Sequence, residues 1–124
     1  MPNPANLIVN ELSANAGVAR PAAQTIDTNG TLNCAVKSLT DRLMIEVENT
    51  DDAALTITVK AGTSAVAHTA RDLSVAIAAG AAKIIGPLES ARFVKADGSI
   101  DIQFAAAAGS PAAQVRVYRL PRQV

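Results

Sequence analysis

LSVAIAAGAAKIIGPLESARFVKADGSIDIQF, residues 73 to 104, decides the fold class. Leu73, Val75 and Ile77 alternate with Ser74, Ala76 and Ala78, the period-two pattern of a strand with one buried face. Ala79-Gly80-Ala81-Ala82 is too small and flexible to continue that pattern and reads as a turn around Gly80. Lys83-Ile84-Ile85 resumes an apolar strand. Gly86-Pro87 stops it, because proline brings no N–H to a ladder and restricts the residue before it. Asp97-Gly98 then predicts a two-residue hairpin turn, since both residue types tolerate positive φ. That loop sets Phe93 opposite Ile102 and Ala91 opposite Phe104 on an apolar face. It sets Arg92 opposite Gln103 and Val94 opposite Asp101 on a mixed face, with Arg92 diagonal to Asp101.

Outward from this stretch the same period recurs. Leu43, Ile45 and Val47 alternate with Met44, Glu46 and Glu48, and Leu55, Ile57 and Val59 alternate with Thr56, Thr58 and Lys60. Asn49-Thr50-Asp51-Asp52 between them is a polar turn, so the two strands are expected to pair as a hairpin. Thr31 to Val36 is a candidate strand after the Asn29-Gly30 turn, Gln24 to Asp27 a shorter one before it. Gln114 to Leu120 is the last strand, with Val115 and Val117 inward, Arg116 and Tyr118 outward, and Pro121 at its end. Ala61 to Asp72 has no periodicity and reads as a loop. Short strands, frequent turns and no sustained amphipathic helix predict one all-β antiparallel sandwich, immunoglobulin-like or jelly-roll, over residues 24–124. Residues 1–23 form an extended N-terminal arm. Leu7, Ile8, Val9 and Leu12 are its apolar content, and Gly17 and Pro21 break up the rest.

A chain of 124 residues is large enough to bury a core without disulfide or metal. Eleven basic and eleven acidic residues cancel, so no long-range attraction draws the chain to nucleic acid or to an anionic membrane. Phe93, Phe104 and Tyr118 are the only aromatics, which leaves no stacking platform for single strands. A core of Ala, Val, Ile and Leu is thin, and a domain of this kind gains from contact with neighbouring subunits. The N-terminus lacks the basic and apolar regions of a secretory signal, and no apolar run approaches the ~20 residues that span a bilayer.

Chemistry-bearing residues are sparse. Cys34 is the single cysteine, and between Leu32 and Val36 it reads as a small buried thiol. His68 is the single histidine, with Ser64 and Asp72 near in sequence; it reads as a loop residue rather than the base of a triad. One His and one Cys fall short of a zinc site. Asp51-Asp52 and Asp97-Gly98 lack the spacing of a calcium loop, and Gly62, Gly80 and Gly86 lack that of a phosphate loop. Arg116 and Arg119 fall on opposite faces of a strand, so with Arg122 they make no single patch and read as solvated side chains near an end. The residues predict no enzyme, no cofactor and no metal.

Three stretches resemble a family of small tailed-bacteriophage structural proteins. They are TDRLMIEVENTDDAALTITVKAG (residues 40–62), the run from Asp72 to Phe104, and VRVYRLP (residues 115–121). The most specific piece is Gly86-Pro87-Leu88-Glu89-Ser90-Ala91-Arg92-Phe93 followed by Asp97-Gly98. The loop between Lys60 and Asp72 departs from the family in being shorter and free of proline. The resemblance implies a virion component of the capsid decoration, or cement, type, made in the host cytoplasm and carried on the capsid surface. It implies the major capsid protein as partner, a homo-oligomer, most simply a homotrimer, and a mechanical role between capsomers. The N-terminal arm, through Leu7, Ile8, Val9 and Leu12, is then the expected capsid contact, because an extended peptide can add a strand to a neighbour's sheet edge. Alternative readings are a tail or head–tail connector protein, or a carbohydrate- or cell-binding sandwich on the virion, for which Tyr118 is the one exposed-aromatic candidate.

Overall fold

Strands with one apolar and one polar face are satisfied when two sheets press their apolar faces together, and this chain folds in that way. The computed structural model describes residues 3–37, 40–63 and 71–121. Among them the strands are β1 (Asn6–Leu7), β2 (Val9–Glu11), β3 (Gln24–Ile26), β4 (Gly30–Cys34), β5 (Leu43–Asn49), β6 (Leu55–Val59), β7 (Leu73–Ile77), β8 (Ala82–Ile85), β9 (Ile100–Ala106) and β10 (Ala113–Arg119). One helical turn, α1 (Ser90–Phe93), precedes β9. The first sheet runs β1-β4-β9-β6-β7. The second runs β2-β10-β5-β8, and β3 also pairs with β10. All pairs are antiparallel except β1 with β4 and β2 with β10, so both sheets are mixed. The all-β sandwich read from the sequence is the fold.

The interior is the set that alternation predicts. Leu43, Ile45, Val47, Val115 and Val117 from the second sheet meet Leu32, Cys34, Leu55, Ile57, Val59, Ile100, Ile102 and Phe104 from the first, all buried. Each of the Val, Leu, Ile and Phe side chains contributes about 1.5–3 kcal/mol relative to exposure.

Strand pairing departs from the sequence reading in two places. β5 and β6 do not form a hairpin: β5 pairs with β10 and β8, and β6 pairs with β9 and β7. The intervening turn carries the chain from one sheet to the other, and buried Asn49 fixes it. The Asn49 amide donates to the carbonyls of Ala53, Ile77 and Ala78, and its Oδ1 accepts the Asp51 N–H at 3.1 Å. These bonds bend residues 49–54 over the end of the core. The two apolar faces then oppose each other instead of lying side by side.

The second departure is at Asp97-Gly98. Residues 90–93 are helical, and Ile102 pairs with Leu32 and Val59 rather than with Phe93. β9 is a central strand with β4 on one edge and β6 on the other, so no edge remains for residues 91–94. Phe93 reaches the core from α1 instead. The turn itself is wider than two residues. The Gly98 N–H bonds to the Lys95 carbonyl at 2.9 Å and the Lys95 N–H to that of Ser99 at 2.8 Å. Gly98 alone takes positive φ (84°), where a two-residue type I′ turn would need it at Asp97 as well. Arg92, freed from Asp101, donates to the carbonyls of Arg71 and Asp72 and lies 4.7 Å over the Phe93 ring.

Gly86 is demanded by close approach. It has φ of 129°, and a side chain there would strike the Leu43 carbonyl. The segment that follows is held by buried Thr40, whose hydroxyl donates to the Leu88 carbonyl at 2.9 Å and meets the Ser90 hydroxyl at 2.8 Å.

Candidate functional surface

The N-terminal residues do not hang free. Val9, Asn10 and Glu11 pair in parallel with Val117, Tyr118 and Arg119, and Asn6 and Leu7 with Asn33 and Cys34. The segment therefore crosses from the edge of the first sheet to the edge of the second, changing sheets at Ile8. Where backbone pairing lapses, side-chain amides replace it. Gln24 Oε1 accepts the Ile8 N–H at 2.8 Å, and its Nε2 donates to the Asn6 carbonyl at 2.9 Å. Asn3 Oδ1 accepts from the N–H groups of Asp27 and Thr28, while its Nδ2 donates to the Thr28 carbonyl. Asn10 Nδ2 donates to the Val117 carbonyl at 2.9 Å.

The four residues expected to make the contact are placed differently from one another. Leu7 is 2% exposed and part of the chain's own core; Val9 packs against that core, and Leu12 is half-buried. Ile8 alone stands out, 61% exposed. Four apolar residues at the start of a chain cannot reveal whose core they fill, because alternation reports burial and not the identity of what buries.

Beneath the segment lies Arg119, which sequence reading took for a solvated side chain. It is 9% exposed, donates Nη2 to the Val36 carbonyl at 3.0 Å and pairs Nη1 with Glu11 Oε2 at 3.4 Å. Its Nε has no hydrogen-bond partner among the described residues. The guanidinium thereby ties β2 and β10 to the chain after β4. Cys34 is buried beside it, as expected; burial pushes its thiol up to about 11 against a smaller opposing pull from Arg119.

The outer faces of the two sheets differ. On the first, Thr31, Gln103, Thr58 and Ser74 stand in register across β4, β9, β6 and β7, with Thr58 and Ser74 hydroxyls 3.2 Å apart. Thr56, Ala76 and Ala105 make the adjacent, equally uncharged row. At one end Lys95 pairs with Asp101 and Lys60 with Asp72, both at 3.1 Å. There Asp97 Oδ1 accepts the Ser99 hydroxyl at 2.6 Å and its N–H at 3.1 Å, which holds the Asp97 carboxyl below its usual range. Asp72 is lowered too, by the Ala61 N–H first and Lys60 after it.

The second sheet's outer face is ionic. Glu46 meets Arg116 Nη1 at 3.5 Å and accepts from the Tyr118 hydroxyl at 3.3 Å, while Arg116 Nε donates to the Pro21 carbonyl. A shallow hollow of about 350 Å³ lies beside this pair, lined by Glu46, Ala82, Lys83 and Ile84.

Ser64, His68 and Arg122 lie outside the described residues. Among those described, no three His, Cys, Asp or Glu side chains converge as a metal site would require, and no helix is long and apolar enough to cross a membrane. Comparison of the chain with protein-family models, with curated proteins and with solved structures returned no match.

Proposed function

We propose that this chain is a virion structural protein of a tailed bacteriophage, a capsid decoration protein that binds the outer surface of the head and bridges capsomers. The observation that carries the reading is where the family-like stretches fall. Residues 40–62 contain β5 and β6, residues 72–104 contain β7, β8, α1 and most of β9, and VRVYRLP contains most of β10. They supply four of the five strands that have a neighbour on each side, β5, β6, β9 and β10, together with the edge strands β7 and β8; the fifth, β4, lies outside them. The task asks for a stiff body with a broad contact face and needs no cofactor.

The partner is the major capsid protein, and copies associate with one another, most simply as a trimer at a three-fold position. The uncharged row of Thr31, Gln103, Thr58 and Ser74 suits contact with a protein surface, because burying it strands no unpaired charge. Modest contacts repeated over a lattice become durable through effective concentration.

The test is co-sedimentation of purified protein with expanded capsids of its phage that lack it. Saturable binding at a fixed copy number per capsomer is expected, weakened at least tenfold by Thr58→Arg. Protein that stays in the supernatant and is found in tail fractions would replace this reading with the tail or connector one.

A further inference from the structure

The N-terminal segment is held in an unusual way for part of a core. Leu7 is buried, yet the strands that carry it are two and three residues long and sit at sheet edges. The rest of its grip comes from Asn3, Gln24 and Asn10 amides and from the Arg119–Glu11 pair.

The connection back to the body is far longer than its task. The Leu12 N–H bonds to the Arg119 carbonyl, and Gln24 lies opposite Val115, so the two ends are separated along β10 by four residues, about 14 Å. Twelve peptide steps from Leu12 to Gln24 reach about 40 Å when extended. Ser13 and every residue from Asn15 to Arg20 are exposed, so little packing ties this connection to its own body. The exposed large apolar side chains among the described residues are Ile8, Val18, Ile84 and Leu120. Two belong to the segment and its connection, and Leu120 follows the strand on which the segment sits.

From these facts we infer that residues 3–11 exchange between copies, the segment of one chain seating on β4 and β10 of another. The occupant of the seat is defined: it is the same peptide, and every bond named above forms identically from a neighbouring chain. Exchange adds no new chemistry; it spends the slack of the connection, and swapping an identical element is a low-cost route to an oligomer. A neighbour's body beside the connection would also cover Ile8, Val18 and Leu120. The inference stands whether or not the assembly decorates a capsid.

Asn10 and Tyr118 are register partners on adjacent strands, a spacing that a disulfide bridges. The full-length double variant Asn10→Cys, Tyr118→Cys, in a Cys34→Ala background, is oxidised at high protein concentration and run without reductant. Exchange yields covalent dimers and larger species as the main products. Quantitative disulfide formation within single chains overturns it. A second measurement needs no disulfide: exchange requires an assembly, so light scattering should show the full chain as an oligomer, and a full chain that is monomeric would refute exchange.

Discussion

The two edges of β10 hold their neighbours by different means. On one, β5 pairs along all seven residues from Ala113 to Arg119, and the inward side chains of both strands are buried. On the other, β3 takes Ala113 to Val115 and β2 takes Val117 to Arg119, with side-chain amides closing the gaps. The first edge is held by apolar alternation summed over a long ladder. The second is held by single hydrogen bonds, each worth about 0.5–1.5 kcal/mol net. A strand can thus belong to a cooperative core on one side and offer a releasable seat on the other.

The largest effect should come from within the cooperative side. Phe104→Ala empties a fully buried site between β4 and β6 and is expected to cost about 3–5 kcal/mol in chemical denaturation. Next is Asn49→Ala, which removes the amide donor from the carbonyls of Ala53 and Ile77 at the sheet crossover while the Ala78 carbonyl keeps the Ala81 N–H, at about 1–3 kcal/mol. A loss below about 0.5 kcal/mol would mean that the crossover does not depend on that amide.

Leu7→Ala sharpens the comparison. If β1 and β2 open separately, hydrogen exchange at Val9 to Glu11 should quicken tenfold or more while β5 amides keep their protection. Equal loss in β5 would show one cooperative unit and erase the distinction between the edges.

The smallest effects are those of pH. The Asp97 carboxyl is lowered by Ser99, so its contribution is present above the ordinary value of 3.8 and disappears as pH falls through its lowered folded value. Asp97→Asn should flatten the acid limb of a stability profile and leave the neutral region almost unchanged. Cys34 runs the other way. With its thiol raised to about 11, its contribution is intact below 9.0 and is lost as pH rises toward and through 11. Thiol labelling at pH 8 should be at least a hundredfold slower than for the unfolded chain, and rapid labelling would place Cys34 outside the protected core.

How much of this was legible beforehand depends on whether a feature is local. Leu43-Ile45-Val47, Leu55-Ile57-Val59 and Val115-Val117 announce strands and their buried faces, since a strand's side-chain direction is fixed by its own backbone. The burial of Cys34 followed from the same local pattern. Arg119 looked like a solvated cation because nothing nearby in sequence reveals Val36 or Glu11 beside it. That Leu7 packs in the chain's own core was hidden for the same reason.

Sequence by itself determined that the chain is all-β, where most strands run and which side chains turn inward. Only the tertiary structure decided which strands are neighbours. Asn49 sends β6 to the other sheet, β9 fills both its edges with β4 and β6 instead of pairing with residues 91–94, and β10 accepts β2 and β3 end to end. The physical reason is that a strand's pattern specifies a face but not an edge. Backbone donors and acceptors are the same along every edge, so partners are chosen by what the whole sandwich can bury.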